Sequence, residues 1–66
     1  MIQIRLNGEP LELAPCTLSQ LVTQLGWSGR RIAVERNGAI VPRSQLADTP
    51  IEAGDALEIV VAVGGG

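Results

Sequence analysis

Apolar residues along this chain switch between a period of two and a period near 3.6, and each switch marks an element. In Ile2-Gln3-Ile4-Arg5-Leu6 they alternate with polar residues, predicting a half-buried strand with Ile2, Ile4 and Leu6 inward. Asn7-Gly8 is a tight-hairpin dipeptide, returning the chain into Pro10-Leu11-Glu12-Leu13 with Leu11 and Leu13 inward. Leu18, Leu21, Val22 and Leu25 then recur at helical spacing. Ahead of them, Thr17-Leu18-Ser19-Gln20 is a capping box, with Thr17 as N-cap and Gln20 at the third helical position. Gly26 supplies a left-handed stop, so the helix is expected to run for about ten residues, with Trp27 packing back on its last turn.

Period two returns in Ile32-Ala33-Val34-Glu35, and a second Asn-Gly pair, Asn37-Gly38, turns the chain into Ala39-Ile40-Val41, which Pro42 ends. The stretch from Arg43 to Pro50 is polar, with Leu46 as its inward anchor. Glu52-Ala53-Gly54-Asp55 is a turn, and Ala56 to Val63 is the last and longest strand. Hairpin, helix, strand, short strand and long strand make an α+β domain of the ubiquitin-like β-grasp type. A mixed sheet of four to five strands is expected, covered on one face by one helix. The helix-bearing crossover lets the last strand lie centrally, parallel to the first.

Composition narrows what such a domain does. Sixty-six residues form one small domain, too short for a substrate pocket and a full catalytic apparatus together. Histidine is absent, and acidic residues outnumber basic ones seven to five, which argues against nucleic acid as a partner. The basic residues are all arginine: Arg5, Arg30, Arg31, Arg36 and Arg43. One cysteine, Cys16, has no disulfide partner within the chain, which fits a reducing compartment. The alternating N-terminus lacks the apolar core of a signal peptide, and no apolar run reaches the ~20 residues of a membrane span. The cytoplasm is the expected location.

The candidate chemistry lies at the end. Residues 1–63 read as the folded domain and Gly64-Gly65-Gly66 as a flexible tail carrying the α-carboxylate on a slender tether that fits a narrow cleft in a partner. A frayed terminus is the plainer alternative. On the last strand, Leu57, Ile59, Val61 and Val63 are expected to face the helix, leaving Glu58, Val60 and Ala62 on the opposite side with Ala33 beside them. Apolar residues on a solvated sheet face suggest a partner surface, with Arg43 at its rim beside Arg30 and Arg31. Cys16, just before a helix, is a candidate nucleophile, but without an activating histidine it reads better as a small packing residue. Asp48, Glu52 and Asp55 match no metal-site spacing.

The opening Ile4-Arg5-Leu6-Asn7-Gly8-Glu9, the segment from Arg31 to Gly38 with Ile40-Val41-Pro42-Arg43, and Gly54-Asp55-Ala56-Leu57-Glu58-Ile59-Val60 running into the glycines together resemble the ThiS family of thiamine-biosynthesis sulfur carriers. That resemblance implies a carrier and protein substrate rather than an enzyme. A ThiF-like adenylating enzyme would use ATP and Mg²⁺ to adenylate the carboxylate of Gly66. A sulfur donor protein would supply the sulfur that replaces AMP, and the thiocarboxylate would serve a ThiG-like thiazole synthase building the thiazole ring. No cofactor is expected to stay bound to the carrier. The alternatives are a carrier of the molybdopterin-synthase or tRNA-thiolation type, a non-covalent β-grasp binding module, and a thiol-based carrier using Cys16.

Overall fold

A computed structural model describes residues 1–62. Its elements are β1 (Ile2–Leu6), β2 (Glu9–Leu13), α1 (Leu18–Gln24), β3 (Ile32–Arg36), β4 (Ala39–Val41), a 3-10 helix (Arg43–Asp48) and β5 (Ala56–Val61). The strands form one mixed sheet in the order β2-β1-β5-β3-β4. β5 lies at its centre, parallel to β1 and antiparallel to β3. This is the α+β, β-grasp arrangement the apolar pattern predicts.

Both hairpins follow from their turns. Asn7 and Gly8 have φ of 52° and 83°, and Asn37 and Gly38 have 52° and 87°. Two successive positive φ values make the primed turn whose twist matches the flanking strands. Two-residue loops then fix the register, pairing Leu6 with Glu9 and Arg36 with Ala39. Each strand therefore presents one apolar set to α1.

The helix has seven residues, shorter than the ten expected, because Thr17 and Leu25 are its caps and Gly26 lies beyond. At the start, the Gln20 amide donates to Thr17 Oγ1 at 3.2 Å, and the Thr17 amide donates to Gln20 Oε1 at 2.8 Å. At the end, Trp27 N donates to Val22 O and Gly26 N to Thr23 O, each at 3.0 Å. With Gly26 at φ 80° this closes a Schellman motif, so the stop is set by chain chemistry. Leu18, Leu21 and Val22 are buried against Ile4, Leu13, Val34, Leu57 and Ile59 of the sheet. Burying each such side chain contributes roughly 1.5–3 kcal/mol. Leu46 and Ile51 complete the core, and Trp27 packs half-buried against it.

The polar stretch after Pro42, where the apolar pattern predicts only an inward Leu46, is ordered into an element of its own. It winds into the 3-10 helix that carries Leu46 inward. The following residues are tied to the entrance of α1, where Leu18 N donates to Thr49 O at 3.0 Å and Ile51 N to Cys16 O at 2.8 Å.

Candidate functional site

The strand that leads toward the glycines is held along both of its edges. On the β1 side, Arg5 N donates to Asp55 O at 2.9 Å and Asn7 N to Leu57 O at 2.8 Å. The β1 backbone then turns away, and the Asn7 side chain continues the ladder on Ile59. Its Oδ1 accepts from Ile59 N at 2.9 Å and its Nδ2 donates to Ile59 O at 3.2 Å. On the β3 side, Asn37 N donates to Ala56 O at 2.8 Å while Asn37 Oδ1 accepts from Ala56 N at 2.9 Å. At the far end Ala62 N donates to Arg31 O at 2.8 Å. β5 is thus anchored from Asp55 to Ala62. Val63, Gly64, Gly65 and Gly66 lie outside the described residues, and with them the expected inward position of Val63 and the domain–tail boundary.

The faces of β5 divide as its alternation predicts. Leu57 and Ile59 are buried and Val61 half-buried, whereas Glu58, Val60 and Ala62 are exposed. Ala33 pairs with Val60 and shares its face. Val60 is 63% exposed, and Ile40, on β4 opposite Glu35, is 66% exposed. Ile40 was not among the expected patch residues. The Asn37-Gly38 turn sets its register, so counting forward from that turn pairs it with Glu35 and assigns it to the outer face.

Arg43 does not join this face. It lines a shallow depression on the helix side with Trp27, Arg30, Val22 and Leu46. There its Nη2 donates to Arg30 O at 3.0 Å, fixing the loop whose next carbonyl, on Arg31, accepts from Ala62. Arg30 and Arg31 are themselves exposed.

A second polar group braces the start of β5. Asp55 is 5% exposed and accepts from Arg36 Nε at 2.9 Å, Asn37 Nδ2 at 3.1 Å and Glu52 N at 2.9 Å. Burial alone would raise its carboxyl, but these donors outweigh it and hold the group below the ordinary carboxylate value. Arg36 also bridges to Glu52 at 2.8 Å. Glu52 and Asp55 are therefore bound to an arginine, and among the described residues no group of three or more His, Cys, Asp or Glu could hold a metal ion. Cys16 is half-buried against the core, and burial pushes its thiol up, away from the nucleophilic thiolate. Among the described residues no helix is long and apolar enough to cross a membrane.

Comparison with known proteins bears on the identity of this fold. The ThiS family model matches residues 4–66. The chain belongs to the ThiS family. It is 33% identical over 61 residues to the "Sulfur carrier protein ThiS" of Thermus thermophilus, covering 92% of this chain and 95% of that protein. It is also 42% identical over 66 residues to a "Thiazole synthase" of Paramagnetospirillum magneticum, covering 98% of this chain but 20% of that protein. This ThiS-family chain thus spans about a fifth of the length of that relative. Among solved structures, the thiamine biosynthesis protein ThiS of Geobacter metallireducens superposes with a TM-score of 0.83 at 26% identity, covering 98% of this chain and all of that one.

Proposed function

We propose that this chain is a sulfur carrier of thiamine biosynthesis whose working group is the α-carboxylate of Gly66. Family membership supports the class, and the central strand anchored on both edges up to Ala62 supports the mechanism. From Ala62 to Gly66 an extended chain reaches at most roughly 14 Å, enough to carry a carboxylate into a cleft while the domain stays outside.

The chemistry requires a partner. A carboxylate is a poor electrophile, so a ThiF-like adenylating enzyme would join its oxygen to the α-phosphorus of ATP and release pyrophosphate. Hydrosulfide released by a donor protein would then attack the carbonyl carbon, forming the carbon–sulfur bond and giving up its proton to solvent. The bond to AMP breaks, leaving a thiocarboxylate. The cations and Mg²⁺ that stabilise the phosphates belong to the adenylating enzyme, and the carrier keeps no cofactor. A ThiG-like thiazole synthase would receive the sulfur. The relatives named thiazole synthase, matched over about a fifth of their length, support that recipient.

Docking falls to the outer sheet face through Ala33, Val60 and Ala62, extended by Ile40. The test is the intact mass of the protein after incubation with ATP, Mg²⁺, a ThiF-like enzyme and a sulfur source. Replacement of one oxygen by sulfur, mapped to the C-terminal peptide, is the expected result. An unaltered C-terminal peptide, with the same enzyme active on another carrier, would overturn the reading.

A further inference from the structure

The outer sheet face carries a charge arrangement that the fold itself does not need. Glu35 on β3 and Glu58 on β5 are directly opposite each other. The ladder bonds at either end of the pair of strands, Asn37 N to Ala56 O and Ala62 N to Arg31 O, make 35 and 58 a hydrogen-bonded pair by alternation. Their Cβ atoms then lie roughly 5 Å apart, where like charges destabilise a sheet. Glu35 is also half-buried, which sharpens the cost.

No cation relieves them among the described residues. Arg36, next in sequence to Glu35, points to the helix side and is held by Asp55 and Glu52. Arg5, the arginine of the neighbouring strand, pairs in register with Ala56 and donates to Gly8 O at 3.3 Å. The carboxylates are framed by two exposed apolar side chains of the face, Ile40 across from Glu35 and Val60 two residues beyond Glu58.

We propose that this framed pair is the polar centre of the docking surface, and that its occupant is a basic side chain, arginine or lysine, on the adenylating enzyme. The inference rests on the carrier reading above and deepens it by naming the chemistry of the partner. An enzyme that handles ATP phosphates gathers positive groups around that site, so a carrier delivering its tail there meets a positive field. Two carboxylates about 13 Å along the strand from Ala62 steer the approach, and the flanking Ile40 and Val60 exclude water once docked. Repulsion within the free carrier is exchanged for attraction in the complex.

The experiment compares the wild-type chain with the Glu35→Gln/Glu58→Gln variant as substrates of the ThiF-like enzyme, reading thiocarboxylate formation by mass. Removing both charges should raise KM about tenfold at low salt while kcat at saturating carrier is retained. Added NaCl should raise the wild-type KM toward that of the variant, whose own KM stays flat. Thermal unfolding should show the variant at least as stable as wild type. Equal KM and equal salt dependence in the two proteins would overturn the inference while leaving the carrier reading intact, as would a variant of lowered stability. A wild-type chain that is never loaded would overturn the carrier reading and this inference with it.

Discussion

Asn7 grips Ile59 through both ends of its side-chain amide, at 2.9 and 3.2 Å, across 52 residues of sequence. The relationship explains why a residue usually considered only for its turn matters to the strand that carries the tail. β1 leaves the sheet at the hairpin, and without a side chain to continue the ladder the Ile59 amide and carbonyl would lose their partners. Asn37 performs the equivalent service for Ala56 from the other hairpin.

Substituting Asn7 by Gly keeps the positive φ and removes only the amide. The expected loss is about 1–3 kcal/mol, read by chemical denaturation. Asn7→Ala should cost about 1 kcal/mol more, because alanine resists the left-handed conformation. An Asn7→Gly protein as stable as wild type would contradict the bracing role.

Acid should unfold the protein partly through Asp55. Its carboxyl is held below the ordinary value in the folded state, so its contribution is complete above the unfolded value of about 3.9. That contribution fades as pH falls through the folded value. Denaturation midpoints measured from about pH 6 to about pH 2 should show the loss, and Asp55→Asn should flatten that slope. At neutral pH the same variant should be less stable by about 2–3 kcal/mol, since Arg36 loses a charged partner.

How far the sequence revealed this arrangement depends on the reach of each interaction. Turn, cap and alternation are local, so the two Asn-Gly hairpins, the Thr17–Gln20 box and the outward set Ala33, Val60 and Ala62 were legible from the residues. The clamps of Asn7 and Asn37 on β5 and the Arg36–Asp55 pair join residues far apart in sequence, and no periodicity announces them. The 3-10 helix was hidden because its one buried residue, Leu46, gives no periodic signal. Arg43 looked like rim charge beside the outer face, yet its guanidinium serves a carbonyl on the helix side, a direction only the folded backbone determines.

Val60→Gln should separate docking from stability. The side chain is 63% exposed, so the substitution should change stability by no more than about 0.5 kcal/mol. An uncharged polar group at the apolar frame should nevertheless raise KM for thiocarboxylate formation by about tenfold, equivalent to about 1.4 kcal/mol. Unchanged kinetics would remove this face from the docking surface.

Cys16→Ser should leave sulfur acceptance intact, because the half-buried thiol is pushed toward its neutral form. Mass analysis of the loaded variant checks this directly. Abolished loading would transfer the chemistry from the tail to the thiol.

The central claim is that Gly66 carries the sulfur, and deletion of that residue tests it most directly. The full chain and the chain lacking Gly66 are each incubated with ATP, Mg²⁺, the ThiF-like enzyme and a sulfur source, then weighed intact. The account predicts exchange of one oxygen for sulfur at the C-terminus of the full chain and greatly reduced loading of a truncated chain that is still folded, because reaction geometry at the phosphate is strict. Equal loading of both chains would contradict it.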